Sequence, residues 1–131
     1  ANALGGGRAS GTKIRYSTAL DGNCKWIILE MYGKPGVYSI TIHDKDKYMH
    51  SSGGSNIGAH TVLLDGAAGY PNAQWRFEPS TRRPGHYYIK ASDKPLYLHT
   101  SKGSGTGNQM TLHSFPKNRN HPNCQWKIAS V

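Results

Sequence analysis

Two short segments that combine histidine, hydroxyl residues and glycine lie 49 positions apart in the chain. They run from His50 to Gly54 and from His99 to Gly103. An imidazole provides a directional hydrogen-bond donor or acceptor, and a glycine turn lets a ligand come close to backbone N–H groups. This combination suits the hydroxyl groups of a sugar. The alternative is that the glycines only turn a hairpin and each histidine packs on its neighbour. Because the pattern occurs twice, we expect a ligand site.

The other reactive side chains give no sign of catalysis. The seven Asp and Glu residues form no acid–base pair within a motif, and the chain has no nucleophile elbow, phosphate-binding loop or zinc-protease motif. Seven histidines raise the possibility of a metal site, but His50 and His99 occupy equivalent positions that a repeated fold would hold apart. We therefore expect a protein that is not an enzyme and that has no metal or other cofactor.

The two histidine segments belong to a longer internal repeat. At an offset of 49 residues Tyr38 matches Tyr87, and after a two-residue insertion Trp75 matches Trp126. A partial third copy contains Trp26, so the three tryptophans mark one position that occurs three times. A period of about 50 residues with few copies predicts an array or a closed, pseudo-symmetric fold.

Each full copy contains four short apolar runs that are separated by turn residues. Tyr38–Ile42 alternates with a period of two, which is typical of a half-buried strand. The other predicted strands are 48–51, 60–64 and 74–77 in the second copy, and 87–91, 96–100, 109–113 and 125–128 in the third. Four strands in each of three repeats predict an all-β protein, a β-trefoil in which the tryptophans face inward. An open three-unit array or a propeller fragment is the alternative.

The first copy lacks its opening strand, the counterpart of Tyr38–Ile42. An unfilled place in a trefoil would expose two sheet edges, and exposed edges tend to recruit a partner strand. We expect either that a segment was removed or is missing ahead of Ala1, or that another chain supplies the strand. The second case favours a homo-oligomer or a second chain that completes the barrel.

The two cysteines occupy equivalent positions in this repeat. Cys24 and Cys124 each stand two residues before a tryptophan, so both should face inward. In a trefoil their strands are separated by another strand, which places their Cα atoms beyond the roughly 7 Å limit for a disulfide. We expect two buried thiols.

Length and charge limit the number of domains and the class of partner. With 131 residues the chain fits one domain, 1–131, with repeats at about 1–32, 33–82 and 83–131. The net charge is +9, but the basic residues are scattered, which favours a solvated surface over a nucleic-acid partner. No apolar run approaches the roughly 18 residues of a membrane span. No signal peptide opens the sequence, so we expect a soluble or already processed protein.

The four-strand repeat with a tryptophan near its end resembles the ricin-B-type lectins, a family of β-trefoil sugar-binding proteins. Their Gln-x-Trp signature appears here as Asn-x-Gln/Lys-Trp. The histidine segments are similar to those of the mussel lectins (mytilectins), whose repeats carry His-Pro-x-Gly-Gly, an apolar strand and His-x-Asp-x-His. The resemblance implies a multivalent, agglutinating lectin that binds galactose-type glycans or glycoproteins through its hairpin loops. The implied carbohydrate-binding residues are His50, Gly53, Gly54, Asp65, His99, Gly103, His113 and Asn118.

A second interpretation is a trefoil interaction module, either a protease inhibitor or a growth-factor-like ligand. The charge of +9 and the basic pair Arg82-Arg83 would fit a heparin-type polysaccharide. Salt-sensitive retention on heparin without a response to neutral sugars would favour this alternative. A targeting module from a larger toxin or glycosidase is a third possibility.

Overall fold

A computed structural model describes residues 2–3, 14–15, 26–42, 47–52, 54–65, 69–100, 110–114 and 124–128. Within these ranges the regular structure is almost entirely β. The strands are β1 (Asn2–Ala3), β2 (Ile14–Arg15), β3 (Trp26–Glu30), β4 (Tyr38–Ile42), β5 (Lys47–Ser51), β6 (Thr61–Asp65), β7 (Trp75–Pro79), β8 (His86–Ala91), β9 (Tyr97–Thr100), β10 (Met110–His113) and β11 (Trp126–Lys127). A 3₁₀ turn over Pro71–Ala73 precedes β7.

An antiparallel hairpin occurs at the same place in each of the three repeats. The hairpins are β1–β2, β5–β6 and β9–β10, and their registers are equivalent: Ala3 is opposite Ile14, Met49 is opposite Leu63, and Leu98 is opposite Leu112. Leu63, Leu98 and Leu112 are fully buried. The apolar position of each repeat therefore fixes the hairpin register, because a slip by one residue would turn these side chains to solvent.

The remaining strands form the wall of the barrel. Antiparallel pairing joins them in the order β3, β4, β7, β8, β11. These are the first and fourth strands of the repeats, and the three hairpins cap them. This arrangement confirms the predicted all-β, β-trefoil fold. It also places a first strand between successive fourth strands, since β7 and β11 both pair with β8.

Matched turns introduce the first strands of the second and third repeats. Pro35-Gly36 precedes β4 and Pro84-Gly85 precedes β8. Gly36 has φ +75° and Gly85 has φ +77°. Proline presets the first turn position and glycine accepts the positive φ of the next, which is the chemistry of a type II turn.

Two of the three equivalent tryptophans stabilise their repeats through the same hydrogen bond. Trp75 is 1% exposed, and its Nε1 donates to the carbonyl of Met49 at 3.0 Å. Trp126 donates in the same way to the carbonyl of Leu98 at 3.1 Å. A buried indole N–H needs an acceptor, and the carbonyl of the second strand provides one. Trp26 and Trp126 are half-buried and pack against the core that contains Trp75.

An aromatic contact connects neighbouring barrel strands two residues after the tryptophan position of the second repeat. The ring of Phe77 lies between Tyr38 and Tyr87, with centroid distances of 5.4 and 6.5 Å, and both contacts are edge-to-face at 83°. Phe77 thus packs against the first strand of its own repeat and the first strand of the next. Such pairs contribute about 0.5–1.5 kcal/mol beyond the apolar area they bury.

The first repeat shows one difference from the prediction. A strand at Asn2–Ala3 was not expected, because two small or polar residues give no alternating pattern. It is the second strand of its repeat and pairs with β2. The expected lack of an opening strand in the first repeat stays a prediction. Cys124 is fully buried beside Tyr88 and Tyr97, whereas Cys24 lies outside the described residues. The predicted absence of a disulfide stays a prediction.

The indole hydrogen bond can be tested by comparing Trp75→Phe with Trp126→Phe. Both substitutions remove the same N–H donor, but only Trp75 is completely buried, so its replacement also leaves an unfilled volume. We expect Trp75→Phe to lower the free energy of unfolding by about 2–3 kcal/mol and Trp126→Phe to lower it by clearly less. Urea denaturation of both variants measures the difference. Equal losses would contradict the assignment of Trp75 as the central side chain of the core.

Candidate functional site

The two repeat-equivalent histidines make the same contact within their hairpins. His50 on β5 is opposite Val62, and its Nδ1 donates to the Val62 carbonyl at 3.5 Å. His99 on β9 is opposite Thr111, and its Nδ1 lies 3.2 Å from the Thr111 carbonyl. Each ring therefore ties its strand to the neighbouring strand. The packing role that the sequence left open as an alternative is present in both repeats.

The two rings differ in how much of them a ligand could reach. His50 is only 8% exposed, whereas His99 is half-buried. Burial lowers the pKa of His50 below its ordinary value, because the charged imidazolium loses its hydration, and the bond to the Val62 carbonyl opposes this shift. His50 is thus a neutral, mainly internal group, while His99 still presents part of its ring to the surface.

The third hairpin brings two predicted site residues into contact. The rings of His99 and His113 meet edge-on, with centroids 5.2 Å apart and an angle of 60°. His113 is exposed, and its Nδ1 donates to the carbonyl of Ser114 at 2.7 Å. The hydroxyl of Thr111 lies 3.2 Å from Nδ1 of His99. The hairpin therefore holds two imidazoles and a buried hydroxyl together.

A third histidine, on the second repeat, lies directly opposite Thr111. His60 forms an antiparallel bridge with Thr111, which is also opposite His99. Side chains of directly paired residues point to the same face of a sheet, and so do residues two apart on one strand. His60, His99 and His113 consequently share the face that carries Thr111. Alignment of the repeats could not predict the position of His60, because that position depends on a contact between two different repeats.

Several hydrogen bonds hold the junction between the second and third hairpins. The N–H of Gly58 donates to the carbonyl of Leu112 at 2.8 Å, and the N–H of Leu112 donates to the carbonyl of Ala59 at 3.1 Å. The hydroxyl of Thr61 donates to the carbonyl of Met110 at 2.9 Å. This short ladder fixes the position of His60 relative to the third hairpin, so the three histidines sit on a rigid support.

The loop that follows His50 packs against its surroundings. Ser55 is buried and donates to Asp93 Oδ1 at 2.7 Å, and Asn72 Nδ2 donates to the carbonyl of Ser51 at 2.7 Å. Gly54 is half-buried at φ +100°, where a side chain would be strained, and its N–H donates to the Ser51 carbonyl at 3.3 Å. This glycine therefore has a clear role in the turn.

The other predicted site residues are not brought to either histidine by the described structure. Asp65 pairs with Lys47 at the far end of the β5–β6 hairpin, three residues along the strand from Val62, or roughly 10 Å. Gly53, Gly103 and Asn118 lie outside the described residues. The described part of the chain holds no group of three or more His, Cys, Asp or Glu side chains placed to bind a metal ion, and this includes the three histidines.

Known proteins are similar to this chain in sequence pattern and in fold. Residues 22–112 match the model of a family described as ricin-type β-trefoil lectin domain-like. The chain belongs to this family. Its function therefore falls in the class of carbohydrate binding, and glycans are the corresponding partners. No curated protein matches the chain.

Solved structures show the same fold at low sequence identity. A designed threefold-symmetric protein, ThreeFoil, is similar with a TM-score of 0.85 and 19% identity, over 99% of this chain and 89% of that one. An exo-β-1,3-galactanase from Clostridium thermocellum is similar with a TM-score of 0.83 and 16% identity, over 99% of this chain. This chain covers 27% of the galactanase, so the likeness concerns one part of that enzyme. Among the described residues, no helix has the length and apolar character needed to span a membrane.

The buried state of His50 predicts a pH-dependent stability. Because its pKa is lowered in the folded protein, the unfolded chain takes up the proton first as the pH falls. The contribution of His50 to the free energy of unfolding is therefore complete above the ordinary imidazole pKa of about 6.5. It is lost as the pH falls from there toward the lower pKa of the folded state. His50→Asn keeps an amide that can donate to the Val62 carbonyl but does not titrate. We expect the melting temperature of the wild type to fall more steeply than that of the variant below about pH 6.5. Parallel slopes in differential scanning fluorimetry would contradict this role of His50.

Proposed function

We propose that this protein is a non-enzymatic lectin that binds galactose-type glycans through the hairpin loops of its second and third repeats. The observation that carries the proposal is the histidine cluster of the third hairpin, in a chain that belongs to a lectin-type family. His99 and His113 are the central residues of this site, and His60 completes it from the second repeat.

The cluster has the chemistry that a sugar requires. Each hydroxyl of a sugar is a donor and an acceptor. A neutral imidazole whose Nδ1–H donates to a backbone carbonyl presents its Nε2 as an acceptor in a fixed direction. The bonds of His99 to Thr111 and of His113 to Ser114 hold the two rings in place before a ligand arrives. Preorganised groups lose little conformational freedom on binding, which favours recognition even at a shallow site.

The second repeat contributes a related loop in this proposal. Its residues His50, Gly53 and Gly54 correspond to the motif of the mussel lectins, and Asp65 lies one place from the aspartate of that motif. Gly103 and Asn118 extend the third site. Leu64 stands at the position that His113 occupies in the third repeat. Because a leucine offers no hydrogen bond, we expect the third site to bind a sugar more tightly than the second.

Galactose and N-acetylgalactosamine are the natural first probes. The His–Gly–Gly segment resembles that of the mussel lectins, and one structural neighbour is an exo-β-1,3-galactanase. Two sites in one chain would allow binding to a glycan-coated surface with an avidity about 10²–10⁴ times the affinity of one site. This would make the protein an agglutinin.

The test is binding to immobilised asialo-glycoprotein and agglutination of erythrocytes, each in competition with free galactose. We expect His113→Ala to weaken binding by about tenfold, the effect of one lost hydrogen bond of roughly 1.4 kcal/mol, and His99→Ala with His113→Ala to weaken it further. His86→Ala is the matched control, because this histidine bonds to the Pro84 carbonyl in a surface turn away from the hairpins. A melting curve of each variant separates lost binding from lost folding.

Two results would contradict the proposal. Sugar binding that is unchanged in the folded double variant would remove the third hairpin from the site. Salt-sensitive retention on heparin, together with no response to neutral sugars on a glycan array, would favour the interaction module that the basic charge permits.

A further inference from the structure

A basic side chain stands at the same place on the fourth strand of the second and the third repeat. Arg76 on β7 and Lys127 on β11 each follow an equivalent tryptophan by one residue. Because Trp75 and Trp126 pack into the core, the alternation of a strand turns the next residue outward, and both basic side chains are exposed. The first repeat has Ile27 at this position, so the strand itself does not require the charge.

A second basic side chain meets Arg76 from the turn before β4. Lys34 is exposed, and its Nζ donates to Oε1 of Gln74 at 3.1 Å, two residues before Arg76 on the chain. In the opposite direction, the Arg76 guanidinium lies against the turn, since a side chain added at Gly36 would meet its Nη1 at 3.3 Å. The turn and the strand therefore hold two cations at one junction.

The third repeat builds the same junction with other contacts. Arg83, the equivalent of Lys34, is exposed in the turn before β8, and its N–H donates to Oγ of Ser80 at 3.1 Å. The Ser80 hydroxyl donates in turn to Oε1 of Gln125 at 2.8 Å. The carbonyl of Arg83 accepts the N–H of His86 at 3.0 Å, and His86 is directly opposite Lys127. These bonds fix the backbone of Arg83 beside the strand that carries Lys127.

The charges of these residues are not neutralised within the described ranges. Lys34, Arg76, Arg83 and Lys127 form no ion pair with another described residue. Arg76 is moreover directly opposite Lys90 on β8, and like charges in this arrangement repel each other. The fold thus tolerates an unfavourable electrostatic arrangement that an anionic ligand would relieve.

Two carboxylates stand near the junction of the second repeat and have no counterpart in the third. Glu30 accepts a backbone N–H at 3.1 Å, and Glu78 accepts a tyrosine hydroxyl at 2.8 Å. The equivalent residues of the third repeat are Pro79 and Ala129, which carry no charge. The junction of the third repeat should therefore attract an anion more strongly.

We propose that these two junctions, the pair Lys34 and Arg76 and the pair Arg83 and Lys127, bind an acidic polysaccharide whose sugars carry sulfate or carboxylate groups. A guanidinium forms two parallel hydrogen bonds to such a group, and an ammonium adds a compact charge. A carbohydrate fits better than a nucleic acid, because the chain belongs to a lectin-type family and the cations form separate pairs on equivalent turns.

The position of the junctions makes this surface independent of the proposed galactose sites. β7 begins at Trp75, which bonds to a hairpin strand, and runs away from the hairpins toward the turn, so the junctions lie at the other end of the barrel. Arg76 and Lys127 stand on the two strands that flank β8, opposite Lys90 and His86, which places them on the order of 16 Å apart. A polymer could span both junctions and gain avidity, whereas a single sugar could not.

The experiment measures binding of a heparin oligosaccharide, long enough to span both junctions, by calorimetry at low and at physiological ionic strength. We expect Arg83→Gln with Lys127→Gln to weaken binding by about fivefold to tenfold, the effect of two exposed ion pairs. Lys34→Gln with Arg76→Gln should weaken it less, and all four substitutions together should nearly abolish it. Arg83→Lys with Lys127→Arg keeps both charges and should retain most of the binding.

A matched control removes two positive charges from the hairpin end of the barrel. Lys47→Gln with Lys94→Gln lowers the net charge equally, but both residues stand at the beginning of a hairpin, or just ahead of one, away from the turns. This variant should bind heparin almost as the wild type does, because salt screens charges at such distances. An equal loss in the control and in the junction variants would reduce the binding to net charge and overturn the proposal. Unchanged binding in the folded four-residue variant would overturn it as well.

Two further measurements set this surface apart from other partners. Galactose binding by the four-residue variant should equal that of the wild type, so the polysaccharide surface and the hairpin sites succeed or fail separately. A DNA duplex at the same salt concentration should bind more weakly than heparin. Equal or tighter binding of the duplex through the same four residues would assign the junctions to nucleic acid and overturn the polysaccharide.

Discussion

The hydrogen bond from a buried indole to the second strand of its own repeat is the contact on which this structure depends. It joins a wall strand of the barrel to the hairpin that caps it, so it couples the two layers of the second and third repeats. Trp75 and Trp126 make this bond to Met49 and Leu98, which are equivalent residues. Burial of the ring supplies the hydrophobic stabilisation, and the bond to a backbone carbonyl removes the cost of burying the N–H group. Since the carbonyl belongs to the main chain, side-chain changes in the hairpins leave the acceptor in place.

The second and third hairpins differ in their histidine environments, although the same indole hydrogen bond supports both. His50 and His99 bond to their cross-strand carbonyls alike, but His50 is nearly buried and His99 meets the exposed ring of His113. The two hairpins also have different surroundings, because the second hairpin donates from Ser55 and Gly58 to groups of the third repeat. One imidazole thus contributes mainly to stability, and its counterpart is half-buried beside the exposed ring of His113.

Local patterns were sufficient to predict most of the fold. The alternation of Tyr38, Ile40 and Ile42 predicted β4 with its correct bounds, and the spacing of the tryptophans predicted the trefoil. Residues 2–3 were missed because a two-residue strand carries no periodic signal. The place of His60 beside Thr111 could not be predicted either, since it depends on a bridge between repeats that share no local pattern. The exposed fraction of His50 also depends on tertiary packing. An alignment of the repeats treats equivalent residues as equally packed, so it could not predict that His50 is more buried than His99.

The third repeat physically connects its tryptophan with the histidine hairpin. Trp126 stands on β11, and its indole donates to the carbonyl of Leu98, the residue directly before His99. His99 in turn holds Thr111 and contacts His113. In the second repeat the corresponding path starts at Trp75, which has strands on both sides and is already immobilised by packing. The third repeat therefore combines the pair of His99 and His113 with the less completely packed tryptophan, so the packing of Trp126 bears directly on the strand that carries His99.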